Sequence, residues 1–517
     1  MSLKIIDAKI HLKNIALLVA AFALTRALAW LLGVRTLTSE TVWFMQLLDL
    51  DLLQHHLVRS LLHLHGQPPL LNALVGASEK LAGSHYGELI CAFYLCLGLL
   101  SVISVYISLT LLRVSSLLSL VIGLILTLNP SEILSEFDPI YTVPVIAIHS
   151  FMALALICYL QRRSNRYLYA FLGLAVTLTL IRSPYQWIWV VALVAMLWWQ
   201  ISNNRRQILI VGAIGVFLSL LWPVKNEILF HHFASTTWAP FSIAKHWDWN
   251  GPAEQELVRQ GLITTFAPPN NSDEAVAALL RSKYQGPATG YPELDDVTKR
   301  TGGAVNWNSL AGLRLNDARQ SDIHLLLRRN TKEFTINVLH SLAIYFYPST
   351  QYYALFGGGD SRFGELGRHY QPLRAVDRVV RRFCCNVFGL PADTSAMSSA
   401  AAAHPEQNRS AASIVKKTCM GALLLNGVLL ICVVSFGRGS FWQGAHERKA
   451  AAMVMTLTVA YSFLVNFVEF GENMRYRFET QALVFMAVAI FLQQILDRKA
   501  VATRDRIENE SLIRVQS

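Results

Sequence analysis

The chain is short of charge, of cysteine patterns and of nucleotide-binding motifs. Only 15% of its 517 residues are charged against 53% hydrophobic, and mean hydropathy is +0.37. Several apolar stretches approach the roughly 20 residues needed to cross a bilayer, which makes this a membrane protein. The seven cysteines offer no C-x-x-C pair and no zinc spacing. Cys91, Cys96, Cys158, Cys419 and Cys432 lie in or beside apolar stretches, where cysteine acts as a small hydrophobe, and Cys384 and Cys385 are adjacent. Neither a G-x-G-x-x-G after a strand nor a P-loop is present, so no nucleotide site is expected. No cleavable leader is expected either: the first apolar stretch runs on to Trp30 and Leu31 without a clear small-residue cleavage site, and reads as a retained anchor.

What is present is organised by the bilayer. Apolar runs predict about ten transmembrane helices, at 14–33, 87–112, 115–129, 143–160, 167–182, 186–201, 207–223, 416–436, 450–469 and 480–496. The fold class is therefore an all-α polytopic membrane protein with a mixed extracytoplasmic insert. Basic clusters mark the inner ends: Lys4, Lys9 and Lys13; Arg162, Arg163 and Arg166; Arg205 and Arg206; Arg498 and Lys499. Both termini then lie in the cytoplasm. The formal charge of +11 is read as topology, and nucleic acid is not expected as a partner. Three regions result: residues 1–223, a transmembrane module whose first outside loop is 34–86; the insert 224–415; and the C-terminal helices and tail, 416–517. Phe334 to Tyr347 is apolar but short, and is taken as a helix lying in the interface or re-entering. Pro268, Pro269, Asn270, Gly357 to Gly359 and the Ser398 to Ala403 tract are loop signals within the insert.

Polar residues gather where spans meet the outer face. Asp49 and Asp51 interrupt the apolar run Leu47 to Leu53. An ionised carboxylate at the membrane surface can accept a proton from a hydroxyl. On a helix the two would point about 200° apart, so both cannot face one substrate. Spacing alone is equally met by two polar residues of an interfacial helix. His63-Leu64-His65-Gly66-Gln67-Pro68-Pro69-Leu70-Leu71-Asn72 follows, where the proline pair stops one helix and His65 and Gln67 present polar groups at the turn. Asn129-Pro130 is followed by Glu132, Glu136, Asp138 and Tyr141, of which Glu136 and Tyr141 are favoured as substrate contacts. Arg182 ends the fifth span, and Lys225 and Asn226 end the seventh. Lone cations at such positions commonly snorkel, but several at one depth could converge on a lipid phosphate. Last comes Glu472-Asn473-Met474-Arg475-Tyr476-Arg477, between the final two spans. Arginine forks suit phosphate oxygens.

An acid after the first span, the H-x-Q-P-P-L-x-N run and the E-N-x-R-Y-R stretch resemble the GT-C superfamily of polytopic glycosyltransferases, which includes protein O-mannosyltransferases and lipid A aminoarabinose transferases. The resemblance covers roughly residues 10–240 and 415–497, and the insert between matches nothing recognisable. It implies an inverting glycosyltransferase that moves a sugar from a polyprenyl-phosphate donor to a glycan, lipid or protein acceptor. Asp49, with Asp51 as the alternative, takes the role of base. Arg475, Arg477, Lys225 and Arg182 would hold the donor phosphate, and His65, Gln67, Glu136, Tyr141, Asn226 and Glu472 would contact substrate. Competing acids in the second loop depart from the family's paired acids. No cofactor is required, although a divalent cation could be held where Asp49, Glu136 and a histidine meet.

The rival function is a transporter or flippase of a lipid-linked saccharide, which should carry its charges near the midplane on broken helices. A noncatalytic scaffold is a second rival. Short loops and the lack of a disulfide pattern point to a bacterial inner membrane with a periplasmic active face, the alternative being the endoplasmic reticulum lumen. Within the insert, Phe230 to Phe233, Ser235 to Trp238 and Asn306 to Asn308 mix aromatic and hydrogen-bonding groups that suit a sugar or an interfacial belt equally.

Overall fold

The computed structural model describes residues 2–247, 251–263, 272–345, 349–350, 368–377, 379, 439–469 and 473–516. The expected span 416–436, Glu472, Cys384, Cys385 and the Gly357 and Ser398 tracts lie outside them. Every regular element among the described residues is helical, and the insert has one isolated antiparallel bridge, Thr298 with Val305, in place of the mixed structure expected.

Six helical stretches are long and apolar enough to cross a membrane: Lys9–Leu31, Leu70–Leu111, Thr142–Arg162, Ser202–Phe230, His446–Phe467 and Gln481–Glu510. A seventh is counted if Ser116–Thr127 and Pro130–Glu136, bent by 55°, form one span. The helices at two further expected spans, Asn165–Ile181 and Trp187–Gln200, are 17 and 14 residues long. These fall short of the roughly 20-residue requirement. Among the described residues, which exclude 416–436, the candidate spans thus number six or seven, and the count of ten is not shown. The apolar helix predicted near 334–347 is present as Thr331–Tyr345 and is not among the candidate spans.

Thr142–Arg162 is the central helix. It is apolar around its circumference, 83% of its span window is buried, and it packs against Tyr86–Leu111, Asn165–Ile181, His446–Leu464 and Gln481–Gln516. One continuous core joins these helices, with Tyr94, Tyr106, Tyr159, Trp189, Met486 and Ile490 essentially inaccessible. Among its described residues the insert has small cores, around Leu280 and Leu315, around Trp247 and Ile323, and around Phe230, Leu294 and Leu313.

The bend at 128–129 follows from Asn129-Pro130. Asn129 caps the second piece by accepting from the Ser131 N–H at 3.0 Å, and Pro130 occupies the first turn, where its missing N–H costs nothing. This places Glu136 at the end of a buried helix rather than in a loop. Its carboxylate makes two 2.6 Å bonds to the Arg26 guanidinium of the first span, and Arg26 also donates to the Thr127 carbonyl within hydrogen-bonding distance. The expectation that Glu136 contacts substrate at an outer loop is therefore corrected: its partner is an arginine inside the helical bundle.

The first loop is folded onto the insert. Its turn at His63 to Gly66 leaves backbone groups that the loop cannot satisfy itself, and Asn308 supplies them. The Asn308 side chain accepts from the N–H groups of His65 and Gly66 at 2.8 and 3.1 Å and donates to the His63 carbonyl at 3.0 Å. Glu293 accepts from Ser60 at 2.8 Å and Arg59 at 3.0 Å, and the Lys299 ammonium donates to the carbonyls of Val42 and Phe44 at 3.0 and 2.9 Å.

Candidate functional site

A cavity of about 300 Å³ opens where these elements converge. Its walls are Met45, Gln46 and Gln67 of the first loop; the Arg182 to Gln186 turn; Thr236, Trp238, Phe241, Ser242 and Lys245 of the insert; and Tyr461, Leu464, Val465, Val468 and Glu469 beside Tyr476. Each wall ends a helix for a local reason. Pro184 and the extended Arg182 stop Asn165–Ile181, while Pro240 starts the short helix Ala239–Ala244 that carries Phe241 and Ser242. Asn72 fixes the first-loop wall: its side chain accepts from Leu48 N–H at 2.8 Å and donates to the Gln46 carbonyl at 3.2 Å.

Arg182 is the principal charge on this cavity. It is 3% exposed, its Nε lies 3.2 Å from Glu479, and its guanidinium carbon sits 3.9 Å from the Tyr141 ring centroid and 4.6 Å from that of Tyr476. Its Nη2 has no hydrogen-bond partner. Arginine keeps its charge under these conditions, so the group is a positioned, unspent donor. Across the cavity, Lys245 and Glu469 form an ion pair at 2.7 Å. Burial alone would raise the Glu469 pKa, but the Lys245 ammonium together with the Ser242 hydrogen bond and the Arg182 charge holds the carboxyl below its usual range. Arg475 lies behind, with its guanidinium 4.8 Å from the Tyr141 ring and Nη2 donating to Thr142 at 3.3 Å. Arg182, Lys245 and Arg475 together outnumber Glu469 and Glu479, which favours an anion.

The expected site residues divide. Arg182, Arg475 and Tyr141 are brought together, and Gln67 lines the cavity. Arg477 is placed apart, with Nη2 3.5 Å from Ser349 Oγ. The Lys225 ammonium donates to the Leu62 carbonyl at 3.3 Å and also to that of Leu64, and packs 3.7 Å over the Trp222 ring, so it closes the end of helix Leu50–His63. Asn226 donates to the Ala234 carbonyl at 2.7 Å and holds the following turn.

His65 is likewise engaged rather than offered. Its ring takes Thr237 Oγ1 at 2.9 Å and the Asn308 carbonyl at 2.8 Å, so the neutral tautomer donates from Nε2 and accepts at Nδ1. Burial, with smaller contributions from Lys225 and His232, pushes its pKa down to about 3 despite the Asn308 bond.

Asp49 lines neither this cavity nor the small one beside it. Its carboxylate caps helix Leu50–His63 through the Asp51 N–H at 3.1 Å and receives Thr301 Oγ1 at 2.8 Å, Thr301 N–H at 3.3 Å and Arg300 N–H within hydrogen-bonding distance. Every lone-pair direction of the expected base is thus taken by the loop–insert joint. Asp51 is half-buried and pairs with His55 at 3.2 Å and Arg300 at 3.5 Å. Among the described residues no group of three or more His, Cys, Asp or Glu is placed to hold a metal ion, so Asp49, Glu136 and a histidine do not meet.

Lys245 and Glu469 line the cavity, and Glu479 orients Arg182, without having been singled out as site residues, whereas Trp238 belongs to the Ser235 to Trp238 stretch read as suiting a sugar or an interfacial belt. Glu469 could have been found by the same reading of charges at span ends that gave Arg182, and Glu479 by its spacing of four from Arg475 on a helix. Lys245 carries no such signal.

These features define a helical membrane protein with a positively charged cavity at the ends of its spans. Comparison with protein-family models, curated proteins and solved structures found no match.

Proposed function

We propose that this chain is a glycosyltransferase that moves a sugar from a polyprenyl-phosphate donor to a hydroxyl-bearing glycan, lipid or protein acceptor on the extracytoplasmic face, with inversion at the anomeric carbon. The observation that carries the reading is Arg182: a guanidinium oriented by Glu479 and two tyrosine rings, on a residue that lines the cavity and keeps one buried donor, Nη2, unspent. Negative charge grows on the phosphate as the glycosidic bond lengthens, and preorganised donors at that position lower the barrier without reorganising. Leu464 and Val468 on the cavity wall are 58% and 39% exposed, which suits a lipid tail lying outside the cavity while its phosphate is inside.

The proton of the attacking hydroxyl needs an acceptor. Asp49 is saturated by four donors, whereas Glu469 stands on the cavity held by the Lys245 ammonium and the Ser242 side chain. In this reading the donor phosphate draws Lys245 away from Glu469, and the freed carboxylate takes the proton. The setting is a bacterial inner membrane with the cavity on the periplasmic side; the endoplasmic reticulum lumen is the alternative.

One observation favours a transporter. Arg26 and Glu136, with Glu132 beside them, place charge inside the bundle on a bent helix pair, as carriers of lipid-linked saccharides would. Mass spectrometry of lipid-linked sugars and surface glycans from cells carrying wild type, Arg182→Lys or no protein separates the two. Transfer requires that the polyprenyl-phosphate sugar accumulates and a glycan loses one residue in both deficient strains. A completed saccharide stranded on its lipid refutes transfer and leaves transport.

A further inference from the structure

Beside the main cavity is a second hole of about 10 Å³, lined by Gln46, Gly66, Gln67, Trp238 and Asn308 among others. Met45, Gln46, Gln67 and Trp238 belong to both linings, so the hole is a side pocket of the cavity. Its size admits about one water-sized oxygen. Trp238 is 6% exposed, and its indole Nε1–H has no hydrogen-bond partner. A buried, unpaired N–H costs free energy, which makes its retention informative. The N–H faces Gly66: a Cβ built there would lie 2.7 Å from Nε1, so any larger residue would fill the space in front of the donor.

Two further polar groups reach this place unspent. No protein hydrogen bond to the side-chain amide of Gln46 or of Gln67 occurs among the described residues, whereas Asn308 beside them is consumed by the loop backbone. The indole is held by its neighbours, with ring centroids 5.4 Å from Phe241 and 5.8 Å from Trp307, which are themselves 5.2 Å apart. A rigid aromatic wall with one N–H donor and two amides, each able to donate and accept, complements a ring that carries several hydroxyl groups and few apolar atoms.

We propose that the side pocket is a hydroxyl subsite for a saccharide ring: one sugar hydroxyl enters the hole and accepts from Trp238 Nε1–H, and the Gln46 and Gln67 amides bond its neighbours. This rests on the transfer reading for the sugar's attachment to a phosphate, which then lies toward Arg182 and Lys245 on the same cavity. Gln67 thereby acquires a role as a specificity residue, and the glycine of the His65-Gly66-Gln67 turn is required because it leaves room for the hydroxyl.

The test uses the full chain in detergent and saturation-transfer NMR with a panel of methyl glycosides of hexoses, pentoses and aminosugars. At least one glycoside should bind wild type. Trp238→Phe, which keeps the ring and removes the donor, should weaken it about tenfold, the loss expected for one buried hydrogen bond. Gly66→Ala should do the same by filling the hole. The deoxy analogue lacking the anchored hydroxyl should bind wild type and Trp238→Phe equally. Thermal unfolding of Trp238→Phe at the wild-type temperature shows that the change is local. No binding by any glycoside, or equal binding by both variants, means the hole holds a water molecule and overturns the subsite. That outcome with transfer intact leaves the transfer reading standing; Trp238-dependent binding without transfer in cells sinks the transferase and keeps the subsite.

Discussion

Replacing Asp49 separates a joint from a base. Its carboxylate caps one helix and receives the N–H of Arg300, the N–H of Thr301 and the Thr301 hydroxyl from the insert. Losing the cap costs about 1 kcal/mol. Hydrogen bonds to a charged acceptor contribute roughly 1.5–3 kcal/mol each, but they share one group and do not add. Asp49→Ala should therefore lower the stability of the joint by about 3 kcal/mol, Asp49→Asn by about half of that, and Thr301→Val by about 1 kcal/mol. Hydrogen exchange followed by mass spectrometry reads this locally. Peptides covering residues 296–309 and 63–67 should lose protection by roughly a hundredfold in Asp49→Ala, since each tenfold is about 1.4 kcal/mol, and by a graded amount in the other two. Peptides from the central helix Thr142–Arg162 should be unaffected. If Asp49→Asn abolishes transfer while exchange at the joint stays at the wild-type rate, the carboxylate acts on substrate and the joint account is wrong.

Three other perturbations follow from the same geometry. His65 has a folded pKa of about 3 against 6.5 for the free side chain, so the unfolded chain binds the proton first. Its contribution is present above pH 6.5, falls as pH drops toward 3, and amounts to about 2 kcal/mol lost at pH 5; thermal melts at pH 8 and pH 5 should show that difference shrinking in His65→Gln. Glu469→Gln should abolish transfer while leaving donor lipid bound to the purified protein, and unchanged transfer would remove Glu469 as the proton acceptor. Glu479→Gln leaves the Arg182 charge buried without its counter-ion and should destabilise by about 3 kcal/mol in thermal unfolding, with Glu479→Asp recovering part of it.

The helical class and the place of the polar groups were legible because bilayer spans impose long apolar runs and leave polar residues at their ends. Arg182 and Arg475 were found that way, and the structure joins them through Tyr141. Apolar runs alone do not fix the span count: Asn165–Ile181 and Trp187–Gln200 are apolar but short, and whether such helices cross depends on their neighbours. The environment of Asp49 was hidden for a different reason. The residues that saturate it, Arg300 and Thr301, are more than 200 positions away in an insert with no periodicity to place it. The same holds for His65 and Asn308. A loop motif shows that polar groups are concentrated; only the long-range partner shows whether they are offered to a ligand or spent on the fold.

The two buried arginine pairs illustrate the distinction. Removing two charges from water is expensive, and a buried ion pair is often no more stabilising than two apolar residues of similar volume. Stability alone therefore explains neither pair. Arg26 is spent, with Glu136 receiving two of its bonds and the Thr127 carbonyl another, at the bend between Ser116–Thr127 and Pro130–Glu136. Its geometry accounts for itself as a clamp on a broken helix. Arg182 lines the cavity, with a carboxylate on one edge, tyrosine rings against its face and a buried Nη2 without a partner. That incomplete satisfaction costs free energy, which on the proposed reading a bound phosphate would offset. Replacing Arg182 and Glu479 together by Met and Leu should consequently hold or raise the unfolding temperature while eliminating the activity of the cavity. The same double replacement at Arg26 and Glu136 should act on the bend, and through it on folding.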